Sequence, residues 1–271
     1  MSSSDHFLPL LLDGPFQSWG HDSRFMRRTT SLYPTKSGVI GLIAAAMGLA
    51  KGSNEEEQSL RQLNELQMTV IVLPRPKPGL REPRLDAAEQ WLEPRRLEDY
   101  HTVAFTREAN AEPARIAKLE AKCIKPISPT DRASEIKPTH RQYLVDARFG
   151  VVLQGKEQVL NNVAAALQNP CWGVWLGRKN CIPAKPVFVG GPFEHAEEAW
   201  HALRGKAGLP PQCLQEQFTQ VVEAVDGTES FNDQPISFGN GQSSGPEGRK
   251  FLPRRVKVMP KSGVEHPSTS T

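Results

Sequence analysis

The hydrophobic pattern predicts short strands and helices near both ends of a folded unit, with a long polar stretch between them. Two segments have the apolar pattern of helices, Lys36 to about Leu49 and Glu157–Leu167. Four segments are apolar throughout or rich in β-branched residues, as strands are: Phe7–Leu12, Met68–Leu73, Tyr143–Leu153 and Lys185–Val189. Their order predicts an α+β fold of the ferredoxin-like βαββαβ plan, in which two helices cover one face of an antiparallel sheet.

The pattern breaks between residues 75 and 140, where prolines and charges of both signs replace core periodicity. Only Arg115–Lys122 has helical character there. A segment of this length without a core of its own is typical of a functional projection or of disorder. We therefore predict that 75–140 is inserted between the second and third strands of one domain, which is formed by residues 1–74 and 141–193.

Residues 194–271 form a predicted C-terminal extension that ends in a flexible tail. In this extension, Ala196–Leu203 has the pattern of a helix and Phe251–Val258 that of a basic final strand. The stretch between residues 226 and 248 is rich in glycine and polar residues, which predicts a loop.

Composition limits the classes of protein and of site. The 271 residues are 38% hydrophobic and 23% charged, which is typical of a soluble globular protein. The formal net charge is only +3, so binding of nucleic acid would depend on local clusters of cations. The four cysteines include no C-x-x-C pair, which argues against a structural zinc site and suits a reducing compartment. No metal or cofactor is therefore expected.

The sequence also predicts a cytoplasmic protein without a membrane partner. Its N-terminus lacks the basic region and long apolar core of a signal peptide. The longest apolar run, Val39–Ala50, contains glycines and is too short to span a bilayer.

A strand, a basic loop and a helix start follow one another near the N-terminus. The loop carries Trp19, Arg24, Arg27 and Arg28, and the helix begins at the run Thr35, Lys36 and Ser37. Unpaired backbone N–H groups at a helix start suit phosphate, and Thr35 is a plausible N-cap. The G-x-x-x-x-G-K-[ST] motif is absent, which argues against an ATPase. Two interpretations remain open: binding of a nucleic-acid backbone, or a capped helix beside solvated arginines.

Further cations fall into local groups on or beside predicted strands. Arg141 and Arg148 form one group, Arg178 and Lys179 another, and the final strand carries Arg249, Lys250, Arg254, Arg255 and Lys257. Aromatic residues accompany them, and splayed bases stack on such rings. For Tyr143, within a strand, core packing is favoured, whereas Trp19 and Tyr100 lie in polar loops. The alternative to a nucleic-acid site is an ordinary solvated basic surface.

Several motifs together resemble the CasD family of CRISPR-associated RAMP proteins. They are GPFQSWG from Gly14, PTKSG from Pro34, DYHTV from Asp99, RQYLVDA from Arg141 and LGRKNC from Leu176. The resemblance covers about residues 7–190. It implies a ferredoxin-like RAMP fold and a non-catalytic subunit of type I-E Cascade, which caps the 5′ handle of the CRISPR RNA. The implied partners are that RNA, the backbone and large subunits, and target DNA indirectly through the complex.

The resemblance also implies a thumb-like β-hairpin in the inserted segment, which wedges at the junction of handle and spacer. The motif from Asp99 belongs to this hairpin, and Arg141 marks its return to the body. Together with the basic loop, this yields a predicted RNA-binding set: Trp19, Arg24, Arg27, Arg28, Thr35, Lys36, Ser37, Tyr100, His101, Thr102, Arg107, Arg141, Arg178 and Lys179.

Two other functions remain open from the sequence. A metal-independent CRISPR RNA endoribonuclease would need groups such as His21, Tyr33, Lys36, His101 and His140 to converge, and their spacing does not force this. No carboxylate cluster has metal-site spacing, which argues against a two-metal nuclease. A protein-interaction scaffold without RNA contact is the second alternative.

Overall fold

A computed structural model of the chain describes residues 5–20, 27–77, 79, 91–92, 94–106, 134–239 and 249–260. Within these residues the helices are α1 Lys36–Met47, α2 Asn54–Glu65, α3 Glu157–Gln168 and α4 Ala196–Ala207. The strands are β1 His6–Asp13, β2 Phe16–Gln17, β3 Arg27–Arg28, β4 Gln67–Val72, β5 Arg75–Pro76, β6 Trp91–Leu92, β7 Arg95–Thr106, β8 Ser134–Val145, β9 Arg148–Gly155, β10 Gln220–Glu223, β11 Glu229–Ser237 and β12 Lys250–Met259.

The main sheet has six antiparallel strands in the order β1-β9-β4-β10-β12-β11. One of its faces packs under α1 and α3, where Leu10, Phe149 and Val151 meet Ile43 and Val163 in the larger apolar core. Because successive side chains of a strand point to opposite faces of the sheet, the apolar residues on the second face need a cover of their own. The mixed helix–sheet class with antiparallel strands is confirmed.

Helix α4 supplies the cover of the opposite face. Leu11 and Val152 of the sheet lie in a second apolar cluster with Trp200 and Leu203 of this helix. Gly150 allows the close approach, since a Cβ there would lie 2.4 Å from Leu203 Cδ2. Both faces of β1 are therefore buried, which explains why its sequence is apolar without alternation.

The predicted strand Tyr143–Leu153 is wrong as one element, because the chain divides it into β8 and β9. Asp146 between them adopts a positive φ of 57°, a conformation that Asp tolerates better than most residues. Its N–H donates to Pro15 O at 3.1 Å. This turn takes the chain from a second sheet into the main one.

The predicted strand Lys185–Val189 is also wrong. Around this segment the chain meets the free edge of β1 through two isolated bridges, Leu10↔Phe188 and Phe7↔Phe193, and through hydrogen bonds from Leu11 N to Val187 O at 2.9 Å and from Ala184 N to Asp13 O at 2.7 Å. Pro183 and Pro186 carry no N–H, so a regular ladder cannot form along this edge. The complete ferredoxin-like plan therefore stays a prediction.

The C-terminal extension continues the main sheet through β10, β12 and β11. The predicted basic strand Phe251–Val258 corresponds to β12, and the predicted helix corresponds to α4. The loop predicted over 226–248 is wrong in part, because β11 occupies Glu229–Ser237. Two register shifts on β11 and its mostly polar residues hide the strand period. The domain boundaries given above stay predictions.

A long hairpin rises from the second sheet. Strands β7 and β8 pair without a break from Arg95↔Val145 to Thr106↔Ser134. Twelve residues per strand give a length of about 40 Å. Strands β2 and β3 share the other edge of β8. The helix predicted over Arg115–Lys122 lies outside the described residues, and no helix within them is long and apolar enough to cross a membrane.

Candidate nucleic-acid interface

The base of the hairpin gathers cations from separate parts of the chain on one face. Arg28 of β3 is in register with Arg141 of β8, and Arg141 is in register with Asp99 of β7. Residues directly opposite each other on neighbouring strands share a face, so these three side chains lie on the same side of the sheet. We call the surface formed by Arg28, Arg141 and Arg178 the arginine face.

Arg178 joins this surface from a loop after α3. Its Nη1 donates to Gln142 O at 3.1 Å and its Nη2 donates to Arg28 O at 3.0 Å. Its Cζ lies 4.8 Å from the centroid of the Tyr143 ring, a distance at which a guanidinium is attracted to the ring face. Stacking and two carbonyl contacts hold the cation in place at the surface.

The loop that carries Arg178 is held against the strand β2 region. Ser18 N donates to Leu176 O at 3.0 Å, and Cys181 N donates to Arg178 O at 2.9 Å. Asn180 Nδ2 donates to the Tyr143 hydroxyl at 3.0 Å. The first of these bonds connects the GPFQSWG and LGRKNC motifs, and the third connects LGRKNC to the RQYLVDA motif, so segments far apart in sequence meet here.

Gly177 is required for this loop. Its φ is 96°, and a Cβ there would lie 1.8 Å from Ser18 O. We expect Gly177→Ala to displace Arg178 and to weaken binding of single-stranded RNA about tenfold, because the contact is with backbone that cannot rotate away. Fluorescence anisotropy with a CRISPR repeat RNA measures this, and Gly205→Ala, at a position with open space around it, is the matched control. Equal effects of the two changes would contradict the assignment.

Arg141 has spare hydrogen-bonding capacity at the centre of the arginine face. Its side chain is half-buried, and its Nε is buried without a hydrogen-bond partner among the described residues. A buried donor without a partner costs about 1–3 kcal/mol. A bound phosphate would provide an acceptor for this guanidinium.

The opposite face of the hairpin base is closer to neutral. Glu98 Oε1 lies 2.9 Å from His140 Nδ1. Glu98 Oε2 accepts from Gln142 Nε2 at 3.3 Å and lies 3.6 Å from Arg27 Nη2. The hydrogen bond from Gln142, followed by that from His140, holds the pKa of Glu98 below its usual value. Tyr100, 61% exposed, meets His140 edge-on with ring centroids 5.4 Å apart. An exposed aromatic ring of this kind can stack on a base.

The histidines of the hairpin do not converge. His101 contacts Asp99 and is in register with Thr139, whereas His140 is in register with Tyr100. Alternation of side chains along a strand places these two histidines on opposite faces. They therefore cannot act together as a general acid and base on one phosphate.

Trp19 must be removed from the predicted RNA contacts. Its side chain is 0% exposed, and its indole N–H donates to Gln17 Oε1 at 3.1 Å. The ring fills the space beside Gly38, where a Cβ would lie 2.7 Å from it. A ring in the core cannot stack on a base.

The start of α1 must be corrected as well, because it is closed to phosphate. Thr35 is buried and its Oγ1 accepts from Gly38 N at 3.2 Å, as an N-cap does, while the Ser37 hydroxyl donates to Thr35 Oγ1 at 3.4 Å. The N–H of Lys36 donates to Asp233 Oδ2 of β11 at 2.7 Å. A carboxylate of the protein thus occupies the position predicted for a phosphate oxygen.

Lys36 and Arg254 are internal rather than surface cations. Lys36 Nζ donates to Leu66 O at 2.8 Å and lies 3.1 Å from a Glu223 oxygen, while Arg254 donates to both oxygens of Asp233 at 2.9 and 2.7 Å. Burial lowers the pKa of Lys36, and the Glu223 carboxylate opposes this effect. Two cations and two carboxylates balance each other here, so this cluster offers no charge to RNA.

Arg148, grouped with Arg141 in the sequence, is also internal. It donates to Ala207 O at 2.7 Å and to Pro74 O, and desolvation lowers its pKa to about 10 against the opposing effect of Asp13. It positions β9 against α4.

The remaining predicted contacts are distributed around the hairpin base. Arg27, Arg28, Thr102 and Lys179 are exposed, and Lys179 Nζ lies 5.8 Å from the Trp175 ring centroid. Arg24 and Arg107 lie outside the described residues.

The sequence analysis missed Gly177 and the role of Tyr143 as the ring on which Arg178 stacks. The LGRKNC motif, which contains Gly177, was the available signal for that glycine. No cluster of His, Cys, Asp or Glu in the described part of the chain could hold a metal ion.

Comparison with known proteins identifies the family. A family model described as "CRISPR-associated protein (Cas_Cas5)" matches residues 7–257, nearly the whole chain. This chain belongs to that CRISPR-associated family. The resemblance to CasD seen in the motifs is confirmed by a relative from Escherichia coli (strain K12), "CRISPR system Cascade subunit CasD". It is 30% identical over 192 residues, which make up 68% of this chain and 70% of the relative.

Two solved structures resemble this Cas5-family chain over most of its length. One, titled "CRISPR RNA-guided surveillance complex", is 26% identical with a TM-score of 0.57 and covers 94% of this chain and 90% of its own. The other, titled "Crystal structure of Cas protein", is 27% identical with a TM-score of 0.54 and covers 94% and 95%. The similarity therefore includes the hairpin and the C-terminal strands as well as the N-terminal motifs.

Proposed function

We propose that this chain is a subunit of a type I-E Cascade complex that binds the 5′ handle of the CRISPR RNA and does not cut it. The observation that carries the proposal is the convergence of Arg28, Arg141 and Arg178 on one face of the hairpin base. The names of its relatives support membership of a Cascade complex, and the arginine face supports binding of RNA. The ferredoxin-like RAMP plan, the handle and the subtype belong to the same proposal.

The arginine face suits the backbone of a single strand. Its cations neutralise phosphates, and Arg141 has a buried Nε that a phosphate oxygen can satisfy. Asp99 is in register with Arg141 and leaves the surface with a net positive charge. The exposed Tyr100 on the other face of the same hairpin provides a ring for an unstacked base, so that a strand passing over the hairpin meets both kinds of contact.

Binding rather than cleavage is favoured by the positions of the candidate catalytic groups. Lys36 is enclosed in a neutral ion cluster, and His101 and His140 point to opposite faces. The hairpin is about 40 Å long, and its outer half extends beyond β2 and β3, which pair with its base; this half gives neighbouring backbone and large subunits a surface to pack against. In this role the chain ends the RNA track and helps assemble the complex. Target DNA is contacted through that complex.

The proposal is tested by co-expression with the other Cascade subunits and a CRISPR RNA, followed by photo-crosslinking. We expect the chain to co-elute and to crosslink at the 5′ handle, and the RNA to stay intact when it is incubated with this chain alone. Cleaved RNA would support the endoribonuclease instead, and co-elution without a crosslink would support the scaffold. The variant Arg141→Gln with Arg178→Gln should lose the crosslink, whereas Lys51→Gln with Lys206→Gln, two exposed lysines elsewhere, should retain it.

A further inference from the structure

Strand β12 separates its charges between the two faces of the main sheet. Arg254 and Val256 are buried on the inner face, toward α1 and α2. Arg255 and Lys257, which alternate with them along the strand, are exposed on the outer face. This alternation follows from the strand period of two. Half of the basic strand is structural and the other half is open to solvent.

The carboxylates of the neighbouring strands lie on the inner face. Glu223 contacts Lys36 and Arg254, and Asp233 contacts Arg254. Glu229 is in register with the buried Val256, and on that side burial, followed by the charge of Glu229, raises the pKa of Tyr33. The inner face is therefore balanced in charge, and the outer face is left without the acidic residues of β10 and β11.

The outer face carries only neutral partners for its cations. Arg255 is in register with Ser230 of β11, Lys257 is in register with Val222 of β10, and Val222 is in register with Thr69 of β4. In the described part of the chain, neither Arg255 nor Lys257 has an ion-pair partner. We call the surface formed by Thr69, Val222, Ser230, Arg255 and Lys257 the β12 face.

The β12 face is separate from the arginine face. Helix α4 covers the same side of the sheet over β1 and β9, as the contact between Leu203 and Gly150 shows. Three strand spacings, about 14 Å, lie between β9, into which the hairpin strand β8 leads, and β12. A short RNA strand bound at the hairpin base would therefore not have to contact the β12 face.

We propose that the β12 face binds the backbone of duplex DNA, as a second nucleic-acid surface. Its two cations stand about 7 Å apart along the strand, close to the separation of successive phosphates on one DNA strand. The centre of the face has hydroxyls and cations, and the exposed ring on the same side of β12, Phe251, lies four residues from Arg255 along the strand. This arrangement suits contact with phosphates at the centre of the face rather than stacking on exposed bases. Such contacts are independent of sequence. The inference does not depend on RNA binding at the hairpin.

The test compares Arg255→Gln with Lys257→Gln, as a double variant, against the control Lys51→Gln with Lys206→Gln, which changes net charge equally. The full chain is titrated into a short mixed-sequence DNA duplex and, separately, into a single-stranded CRISPR repeat RNA. We expect only the first variant to bind the duplex about tenfold more weakly. Its slope of log K against log salt should become shallower by about 1.8, since each of the two duplex phosphate contacts contributes about 0.9. Its RNA affinity should stay within about twofold.

Three results would overturn this inference. They are equal losses of duplex affinity in both double variants, a loss confined to RNA, and failure of the unsubstituted chain to bind the duplex at low salt. The hairpin variant Arg141→Gln with Arg178→Gln separates this inference from the proposed function. If that variant retained RNA affinity, the proposed function would fail while the duplex result stood.

Discussion

Replacing Asp233 with asparagine should lower the free energy of unfolding by about 3–5 kcal/mol, because the buried ion cluster would then hold two cations, Lys36 and Arg254, and one carboxylate, Glu223. Arg254 donates two hydrogen bonds to this carboxylate, and the N–H of Lys36 donates a third. Both charged side chains are almost fully buried, so water cannot replace the lost interaction. Thermal denaturation should show a midpoint lower by about 10 °C.

The matched control is Asp226→Asn, which removes an exposed carboxylate from the connection between β10 and β11. Its midpoint should change little, because exposed carboxylates contribute about 0–1 kcal/mol. A double-mutant cycle with Arg254→Met should show that the two losses are far from additive. Equal midpoints for the Asp233 and Asp226 variants would contradict the role of this ion cluster.

The same variant tests the corrected view of α1. If the helix start bound phosphate, removal of the competing carboxylate would raise RNA affinity. We expect RNA affinity at a temperature where the variant is folded to remain unchanged, because β11 and the buried ion cluster still cover the site.

Removing both Arg141 and Arg178 should produce the largest loss of RNA binding. Each charge-assisted hydrogen bond contributes about 1.5–3 kcal/mol, so the double variant to glutamine should bind a repeat RNA at least about a hundredfold more weakly. The slope of log K against log salt should fall by about 1.4, since each contact with single-stranded phosphate contributes about 0.7. Filter binding across a salt series measures both quantities.

Two controls separate charge from structure in this experiment. Arg178→Lys keeps the charge but loses the two carbonyl contacts, so it should retain most of the salt slope while losing affinity. Arg61→Gln, on the exposed side of α2, removes one cation that is already paired with Glu57 and should leave both quantities unchanged. A double variant with the slope of the unsubstituted chain would show that the arginine face does not touch RNA.

Much of the element pattern could be predicted from local physics. Helix α1 begins at Lys36 behind the Thr35 cap, and α3 and β4 fall within a residue or two of their predicted limits. These elements have an apolar period or a cap that is written in a few neighbouring residues. The motifs around Gly14, Arg141 and Leu176 likewise indicated the family correctly and pointed to segments that do meet at the hairpin base.

The incorrect predictions share one cause: each concerns an element whose structure depends on contacts between residues that are far apart in sequence. The break at Asp146 depends on a hydrogen bond to Pro15, and the missing strand near Phe188 depends on how its prolines meet the edge of β1. Strand β11 has little period of its own and exists because β12 pairs with it. Local pattern cannot report a partner that lies tens or hundreds of residues away.

The sequence by itself determined the family, the helix caps, the apolar strands and the identity of the arginines, because each depends on residues that are neighbours along the chain. Only the tertiary structure decided which cations face solvent. A buried charge needs an opposite charge or hydrogen-bond partners, and Lys36 and Arg254 are buried because carboxylates of β10 and β11 pair with them. Arg28, Arg141 and Arg178 remain at the surface, and Arg178 is held there by the Tyr143 ring and two backbone carbonyls, which do not neutralise its charge.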